Sequence, residues 1–373
     1  MPETVEPTLS IRADASLSTP DQTRLPFEHI ELTLDSEADC AHAIRAMQVR
    51  GAPLIGAVAA FGLAFAIRQA PDDESIAKAF ARLEQTRPTA VNLRWALTRV
   101  RDRIAEVAVP DRPGVAWQQA CLIAQEDEQI NRAIGEHGAA LLRDRAEHRA
   151  RQGRPVTREA PLQVLTHCNA GRLATVAHGT ALAPIYFAHD AGLHLHVWVD
   201  ETRPRNQGSS LTAWELARAG VPCTVIVDNA GGHLMQHAQV DAVIVGCDRV
   251  ARNGDVANKI GTYLKALAAK DCGVPFWVAC PTPTIDERID TGARIPIELR
   301  DAREVTHASG IDSTGHRQEL RLVPEGVDAL NPAFDVTPAR LIDGLLTEQG
   351  LIPATPEAVT AALVRAGRIP ATP

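Results

Sequence analysis

Two hydrophobic rhythms divide the chain. Over its first 142 residues, apolar positions recur three and four apart, as in EADCAHAIRAMQV, LIGAVAAFGLAFAIRQA, SIAKAFARLEQT, NLRWALTRVRDRIAEV and VAWQQACLIAQEDEQINRAIGEHGAALL. That period lays them along one stripe of a helix, so this half is expected to be mostly helical. Strand character shows only in RLPFEHIELTL, residues 24–34. From residue 162 the chain turns to short apolar runs: LQVLTH (162–167), LHVWVD (195–200), CTVIVD (223–228), AVIVGC (242–247) and FWVACP (276–281). Stretches of helical spacing that end in Gly, such as LTAWELARAG and NKIGTYLKALAAKDCG, separate them. This alternation builds a parallel sheet with helices on both faces. The expected fold class is α/β: a mostly helical N-terminal domain followed by a Rossmann-like parallel-sheet domain. Residues 1–20, acidic and rich in Pro, Ser and Thr, are read as a flexible arm. Residues 21–145 are read as the helical domain with a short β-hairpin, 146–160 as a charged linker and 161–373 as the Rossmann-like domain. Residues 307–324 read as a surface loop or hairpin.

Polar residues collect at the C-terminal end of each apolar run. Cys168 and Asn169 follow the first, and Glu201, Thr202, Arg203, Arg205 and Gln207 the second. Asp228 and Asn229 follow the third; Asp248, Arg249, Asn258 and Lys259 the fourth; Cys280 and Thr282 the fifth. In a parallel sheet these tips share one edge, where open α/β folds bind ligands. Plainer readings exist for each residue. A cysteine beside an apolar run is commonly a small buried hydrophobe. Cys168 stands out because it precedes Asn-Ala-Gly, where the N–H groups of a following helix start would lower its pKa. An aspartate after a strand often caps a helix. The polar stretch DRVARNGDVANK is longer than a cap needs. Lys259, beside Asn258 at an expected helix start, suits a phosphate or a sugar hydroxyl. In the helical half, VRGAPLIG sets Arg50 before a Gly-Ala-Pro helix entry, which would make an anion site. Arg87 lies in TRPTAVN, otherwise a surface turn.

Charge and composition narrow the partners. A formal net charge of −8 argues against a nucleic-acid partner, which would need a broad basic face. Seven scattered cysteines, with no CxxC pair, argue against a disulfide framework and for a reducing cytosol. The N-terminus has neither the basic nor the apolar region of a signal peptide. No run of 18 apolar residues occurs, so no membrane span is expected and the chain is placed in the cytoplasm. GxGxxG and GxxxxGK[ST] are both absent, which removes the dinucleotide fingerprint a dehydrogenase needs. His167 and Cys168 are adjacent and no second ligand pair has metal spacing, so neither metal nor cofactor is expected.

Longer motifs carry a resemblance. RGAPLIG, TRPTAVNLRWAL, LTHCNAGRLAT, ETRPRNQGSSLTAWEL, GCDRVARNGDVANKIGTY and NPAFDVTPARLI together resemble the 5-methylthioribose-1-phosphate isomerase family of methionine salvage. They span about residues 45–345, and DQTRLP near residue 21 is similar to the family's N-terminal hairpin. The superfamily also holds ribose-1,5-bisphosphate isomerases and regulatory subunits of a translation-initiation exchange factor. The resemblance implies Cys168 and Asp248 as the catalytic pair. It implies Arg50, Gly51, Ala52, Arg87, Gln207, Asn258 and Lys259 as substrate contacts, and a homodimer. Departures are Asn206, Ser209-Ser210, Arg172 and Cys247, where the family usually has Leu, Ala-Arg, Ala and Ala.

The implied reaction is an aldose–ketose isomerisation of a pentose 1-phosphate. Phosphate blocks the anomeric oxygen, so the ring cannot open to an aldehyde. A carboxylic acid kept protonated by burial, Asp248, would have to force C1–O cleavage. Hydrogen then passes from C2 to C1, either as a proton taken by a Cys168 thiolate or as a hydride. The hydride route is preferred, because a closed apolar crevice protects a cationic C1 and no strong base besides the thiol is evident. Alternatives are an isomerase of 5-deoxyribose 1-phosphate or ribose 1,5-bisphosphate, the latter hinted at by Arg172, and a non-catalytic regulatory subunit.

Overall fold

The structure is a computed structural model that describes residues 7–87 and 90–370. Residues 1–6 of the expected arm, 88–89 of TRPTAVN and 371–373 lie outside the described residues.

The chain opens with an antiparallel sheet of β1 (Ser10–Ile11), β2 (Leu17–Pro20) and β3 (Glu31–Leu34). Residues 7–20 therefore differ from the loose arm expected of them. Leu9 and Leu17 are buried in the helical core, and the Thr8 N–H donates to Val176 O at 2.8 Å. Ser and Thr hid this strand because its two faces are covered by other parts of the chain, not by its own periodicity. Helices α1 (Glu37–Arg45), α2 (Ala52–Gln69), α3 (Asp73–Glu84) and α4 (Val91–Ile104) follow. Ser36 caps α1 and Asp72 caps α3 through side-chain oxygens that accept N–H groups of the first turn. Helix α2 is apolar on nearly every face and buried in the core between its neighbours. It is long and apolar enough to cross a membrane by composition alone, although 78% of it is buried inside the protein.

Helix α5 (Arg112–Arg151) is 40 residues long, about 60 Å at 1.5 Å per residue. Its first turns give Ala116, Ala120 and Ile123 to the helical core; later turns give Ile134, Ala139 and Leu142 to the core under the large sheet. The segment 143–151 continues this helix, so the expected boundary near residue 145 falls inside it. One rod thus ties the two halves together.

The second half carries β4 (Leu162–Thr166), α6 (Ala183–Asp190), β5 (Leu195–Asp200), α7 (Ala213–Arg218), β6 (Cys223–Ile226), α8 (Ala230–Gln236) and β7 (Ala242–Val245). Then come β8 (Arg249–Val250), β9 (Val256–Lys259), α9 (Thr262–Cys272), β10 (Phe276–Ala279), α10 (Arg303–Thr306), β11 (His307–Ile311), β12 (Arg317–Arg321) and β13 (Phe334–Thr337). The chain closes with β14 (Gly344–Thr347), β15 (Gly350–Ile352) and α11 (Pro356–Arg365). Seven strands form one sheet in the order β15-β14-β10-β7-β4-β5-β6, parallel except for β15. From β4 the chain winds outward through β5 and β6, then returns to lay β7 on the other side of β4. The β4–β7 pair is therefore the point where winding reverses. Strands β11 and β12 form the hairpin allowed for at 307–324.

Helix α5 meets the sheet half through glycine. A Cβ at Gly138 would lie 2.3 Å from Pro184 Cγ and 2.8 Å from Leu346 Cδ2, whereas one at Gly114 in the first turn meets nothing within 4 Å. The two positions should respond oppositely. Gly138→Ala should destabilise by about 1–3 kcal/mol through overpacking, and Gly114→Ala should stabilise by about 0.5–1 kcal/mol through helix propensity. Denaturant midpoints of the two variants check this; equal shifts would contradict the close approach.

Candidate active site

The site begins at the C-terminal tips of β4 and β7. Past β4 the chain runs Thr166, His167, Cys168, and Cys168 takes the left-handed conformation (φ 64°), uncommon for a residue with a side chain. Two threonines hold it there. The Cys168 N–H donates to Thr202 Oγ1 at 2.8 Å, and its carbonyl accepts from Thr212 Oγ1 at 2.6 Å. Thr202, itself at φ 66°, is clamped by Asp228, whose two carboxylate oxygens accept the N–H groups of Thr202 and Arg203 at 2.7 and 2.8 Å. The tips of β5 and β6 thus serve the tip of β4.

Past β7 the chain runs Gly246, Cys247, Asp248. No helix follows, so Asp248 is not a cap. The polar stretch after it forms the β8–β9 hairpin, extended by β13, and the Asp248 N–H donates to Ala257 O across it at 3.0 Å. Asn258 and Lys259 lie at the end of β9, not at a helix start as expected; α9 begins three residues later. Asn258 Nδ2 donates to Thr262 Oγ1 at 3.0 Å, and Lys259 Nζ sits 4.8 Å from the centre of the Phe334 ring.

The helical half supplies the opposite wall. Gly51 is the N-cap of α2 with φ 91°, and a Cβ there would lie 2.4 Å from the Ala174 backbone. Only glycine allows both that turn and that contact. It brings Arg50 and Ala52 against the β4 tip. Arg50 is buried and donates to Asn169 twice, to Oδ1 at 2.5 Å and to the carbonyl at 2.7 Å. Asn169 is held in turn by Thr212 and by Glu215, which accepts from its Nδ2 at 2.8 Å. Arg87 contributes from the turn before α4 and pairs with Glu298 at 3.3 Å.

All nine expected residues, Arg50, Gly51, Ala52, Arg87, Cys168, Gln207, Asp248, Asn258 and Lys259, line one cavity. Met47, Ile55, Ala90, Ile295, Pro296 and Phe334 give it apolar walls that the sequence analysis did not single out. Gln207 Oε1 is buried with no partner among the described residues, an acceptor free for a ligand hydroxyl.

Burial governs the electrostatics. It pushes the Asp248 carboxyl above the ordinary carboxylate range, opposed by Lys259, Arg50 and Arg87. It also raises the Cys168 thiol, against Arg50 and Lys259. The lowered thiol pKa expected from a helix start does not arise, because a short 3₁₀ turn (Arg172–Ala174) follows and α6 begins only at Ala183. Burial lowers Lys259, opposed by Cys168 and Asp248. A carboxylic acid, a thiol and three cations around one cavity can protonate a bound molecule and hold an anion.

A grouping that spacing did not disclose lies beneath the site. Ligand-type atoms of His167, Asp200 and Asp228 lie within 4.8 Å of one another. The Lys265 ammonium stands 3.2 Å from Asp200 Oδ2 and donates to the Asp228 carbonyl, and His167 Nδ1 pairs with the same Asp200 oxygen at 2.8 Å. Arg172 turns away from the cavity, with its guanidinium 4.3 Å from the centre of the Tyr186 ring.

The profile of the initiation factor 2 subunit family matches residues 48–354. The chain belongs to this family. A methylthioribose-1-phosphate isomerase of Methylocella silvestris is 56% identical over 349 residues, 93% of each chain. Among solved family structures, 5-methylthioribose 1-phosphate isomerase from Pyrococcus horikoshii OT3 superposes with a TM-score of 0.80 at 36% identity, covering 98% of both chains. Translation initiation factor eIF-2B subunit delta from A. fulgidus gives 0.74 at 35% identity, covering 95% of this chain and 99% of that one. Both share the helical half and the sheet half.

Asn169 should matter to anion binding without touching the anion. Asn169→Ala frees the Arg50 guanidinium from one acceptor and should weaken inorganic phosphate binding about tenfold, as expected for a lost hydrogen bond to a charged group. Calorimetric titration measures it; wild-type affinity would contradict Asn169 as the brace of Arg50.

Proposed function

We propose that this chain is an aldose–ketose isomerase that converts 5-methylthioribose 1-phosphate to 5-methylthioribulose 1-phosphate in methionine salvage. The observation that carries the reading is the meeting of Cys168 and Asp248, 80 positions apart, in one buried cavity ringed by Arg50, Arg87 and Lys259. The 56% identity to a methylthioribose-1-phosphate isomerase supports the substrate.

Asp248 donates its proton to the ring oxygen, and the bond from C1 to that oxygen breaks, leaving a hydroxyl at C4. C1, still bearing phosphate, becomes cation-like. A hydride moves from C2 to C1 with its electron pair. The C2 hydroxyl becomes a carbonyl and returns its proton to Asp248, so the acid is regenerated and atoms balance. The raised Cys168 thiol favours this route over a thiolate base, because little thiolate exists at neutral pH. Cys168 then acts as a polarisable neighbour of the migrating hydride. Arg50, Arg87 and Lys259 hold the phosphate, and Gly51, Ala52, Gln207 and Asn258 fix the sugar.

Apolar walls suit a methylthio group better than a second phosphate. Arg172, the one hint towards ribose 1,5-bisphosphate, stacks on Tyr186 instead. The same proposal takes the chain as a cytoplasmic homodimer acting on a small sugar phosphate without cofactor, metal, nucleic acid or membrane. All seven cysteines are free, which fits a reducing compartment. A non-catalytic regulatory role would leave the acid and thiol without a task.

Purified protein given methylthioribose 1-phosphate, 5-deoxyribose 1-phosphate and ribose 1,5-bisphosphate in parallel tests the reading, with ketose detected by NMR. The first should turn over best; no ketose from any of them would reject catalysis. Asp248→Asn and Cys168→Ser should each lower turnover ~10²-fold or more. Because Asp248 must be protonated, activity should fall as pH rises through its raised pKa, and Asp248→Asn should lose that limb. Substrate deuterated at C2 should keep its label at C1; washout into solvent would replace the hydride route with proton transfer.

A further inference from the structure

A chain of alternating charges starts at Arg87, on the cavity wall, and its members beyond Arg87 have no part in the reaction as described so far. Arg87 of the helical half pairs with Glu298 Oε2 at 3.3 Å, and the other oxygen of Glu298 accepts from Arg300 at 2.9 Å. Arg300 continues to Glu304 at 2.9 Å, and Glu304 to Arg205 at 2.7 Å, on the loop that carries Gln207. Met47 Sδ fills the space between the two guanidiniums, 2.9 Å from Arg87 and 3.9 Å from Arg300. The four side chains from Arg87 to Glu304 are only 13–22% exposed, so water and salt screen these pairs less than surface pairs.

Glu298 stands on rigid ground. Its carbonyl accepts the Ala333 N–H at 2.9 Å, and the Arg300 N–H donates to Asn331 O at 2.9 Å. The residues paired there lead into β13, where Phe334 is the register partner of Lys259 on β9. The backbone that fixes Lys259 therefore also fixes Glu298. Arg87, by contrast, reaches the cavity from a turn, and its Nε is buried without a partner among the described residues.

We propose that Glu298 is a positioning residue that locks Arg87 of the helical half into register with Lys259 and Asp248 of the sheet half, so that the anion site is complete only when the two walls are joined. The inference deepens the isomerase reading and rests on it for the role of Asp248, but its anion-binding part stands without turnover. Glu298 also acts through space. The charged and titratable groups facing Asp248 are Lys259 from β9, Arg50 from the entry to α2, Arg87 before α4, Cys168 from the tip of β4, Glu298, and its own chain neighbours Cys247 and Arg249. Of these, Glu298 opposes its ionisation, and Lys259, Arg50 and Arg87 favour it; the Asp248 carboxylate in turn raises the Cys168 thiol.

Two variants separate the roles. In Glu298→Gln the charge is lost: inorganic phosphate, followed by thermal shift, should bind about tenfold more weakly, and the basic limb of the pH–rate profile should move to lower pH. In Glu298→Asp the charge stays but the arm is too short to reach Arg87: phosphate should weaken similarly while the limb stays in place. Should Glu298→Gln fail to fold, Glu298→Asp alone still tests the lock. Wild-type phosphate affinity in either variant would overturn the proposal, as would identical pH limbs in both. A failure of the isomerase reading is seen separately, as a wild-type protein that binds phosphate but makes no ketose.

Discussion

The structure depends on the pairing of β4 with β7. Val164 and Leu165 lie in register with Ala242 and Val243, although some 80 residues separate them. Because β5 and β6 are wound outward on one side and β7 returns on the other, the loops leaving β4 and β7 diverge and open a crevice between them. Cys168 lies two residues past the end of β4, and Asp248 three residues past the end of β7. Neither side chain could face the other on any fold that kept these strands apart.

Once that crevice exists, its chemistry follows from burial and charge balance. A lone buried carboxylate would be held protonated, and a lone buried lysine neutral. Here Asp248, Cys168 and Lys259 face one another with Arg50 and Arg87 close by: the cations hold down the rise of the acid and of the thiol, and the acid and the thiol hold up the lysine. The arginines come from the helical half, which also lines the cavity with Gly51, Ala52, Met47, Ile55 and Ala90. Helix α5 and the Gly51 contact with Ala174 carry that half into place. The helical domain is thus half of the site, not a platform for it.

Much of this was legible from residues. The five apolar runs became β4, β5, β6, β7 and β10, and the polar residues at their tips do lie along one edge. The motif residues gathered in one cavity. Other features resisted reading for physical reasons. Strand β14, GLLT between Asp343 and Glu348, is too short to show a period. The β8–β9 hairpin is built from strands of two and four residues, so its polar sequence read as loop and left Asn258 and Lys259 at a helix start. Residues 146–151, the start of the expected linker 146–160, belong to α5; their charge hid this because contacts such as Arg149 with Asp241 at 2.8 Å come from distant sequence. Glu298 gave no signal, since its partner Arg87 lies in the other half of the chain.

The account stands or falls on Asp248 being a carboxylic acid at the pH where the protein works. Carbon-13 NMR of protein labelled at aspartate carboxyl carbons, with Asp248→Asn to assign the signal, measures this directly. The account predicts a midpoint above the ordinary aspartate value of about 3.9. A midpoint at or below that ordinary value would contradict it.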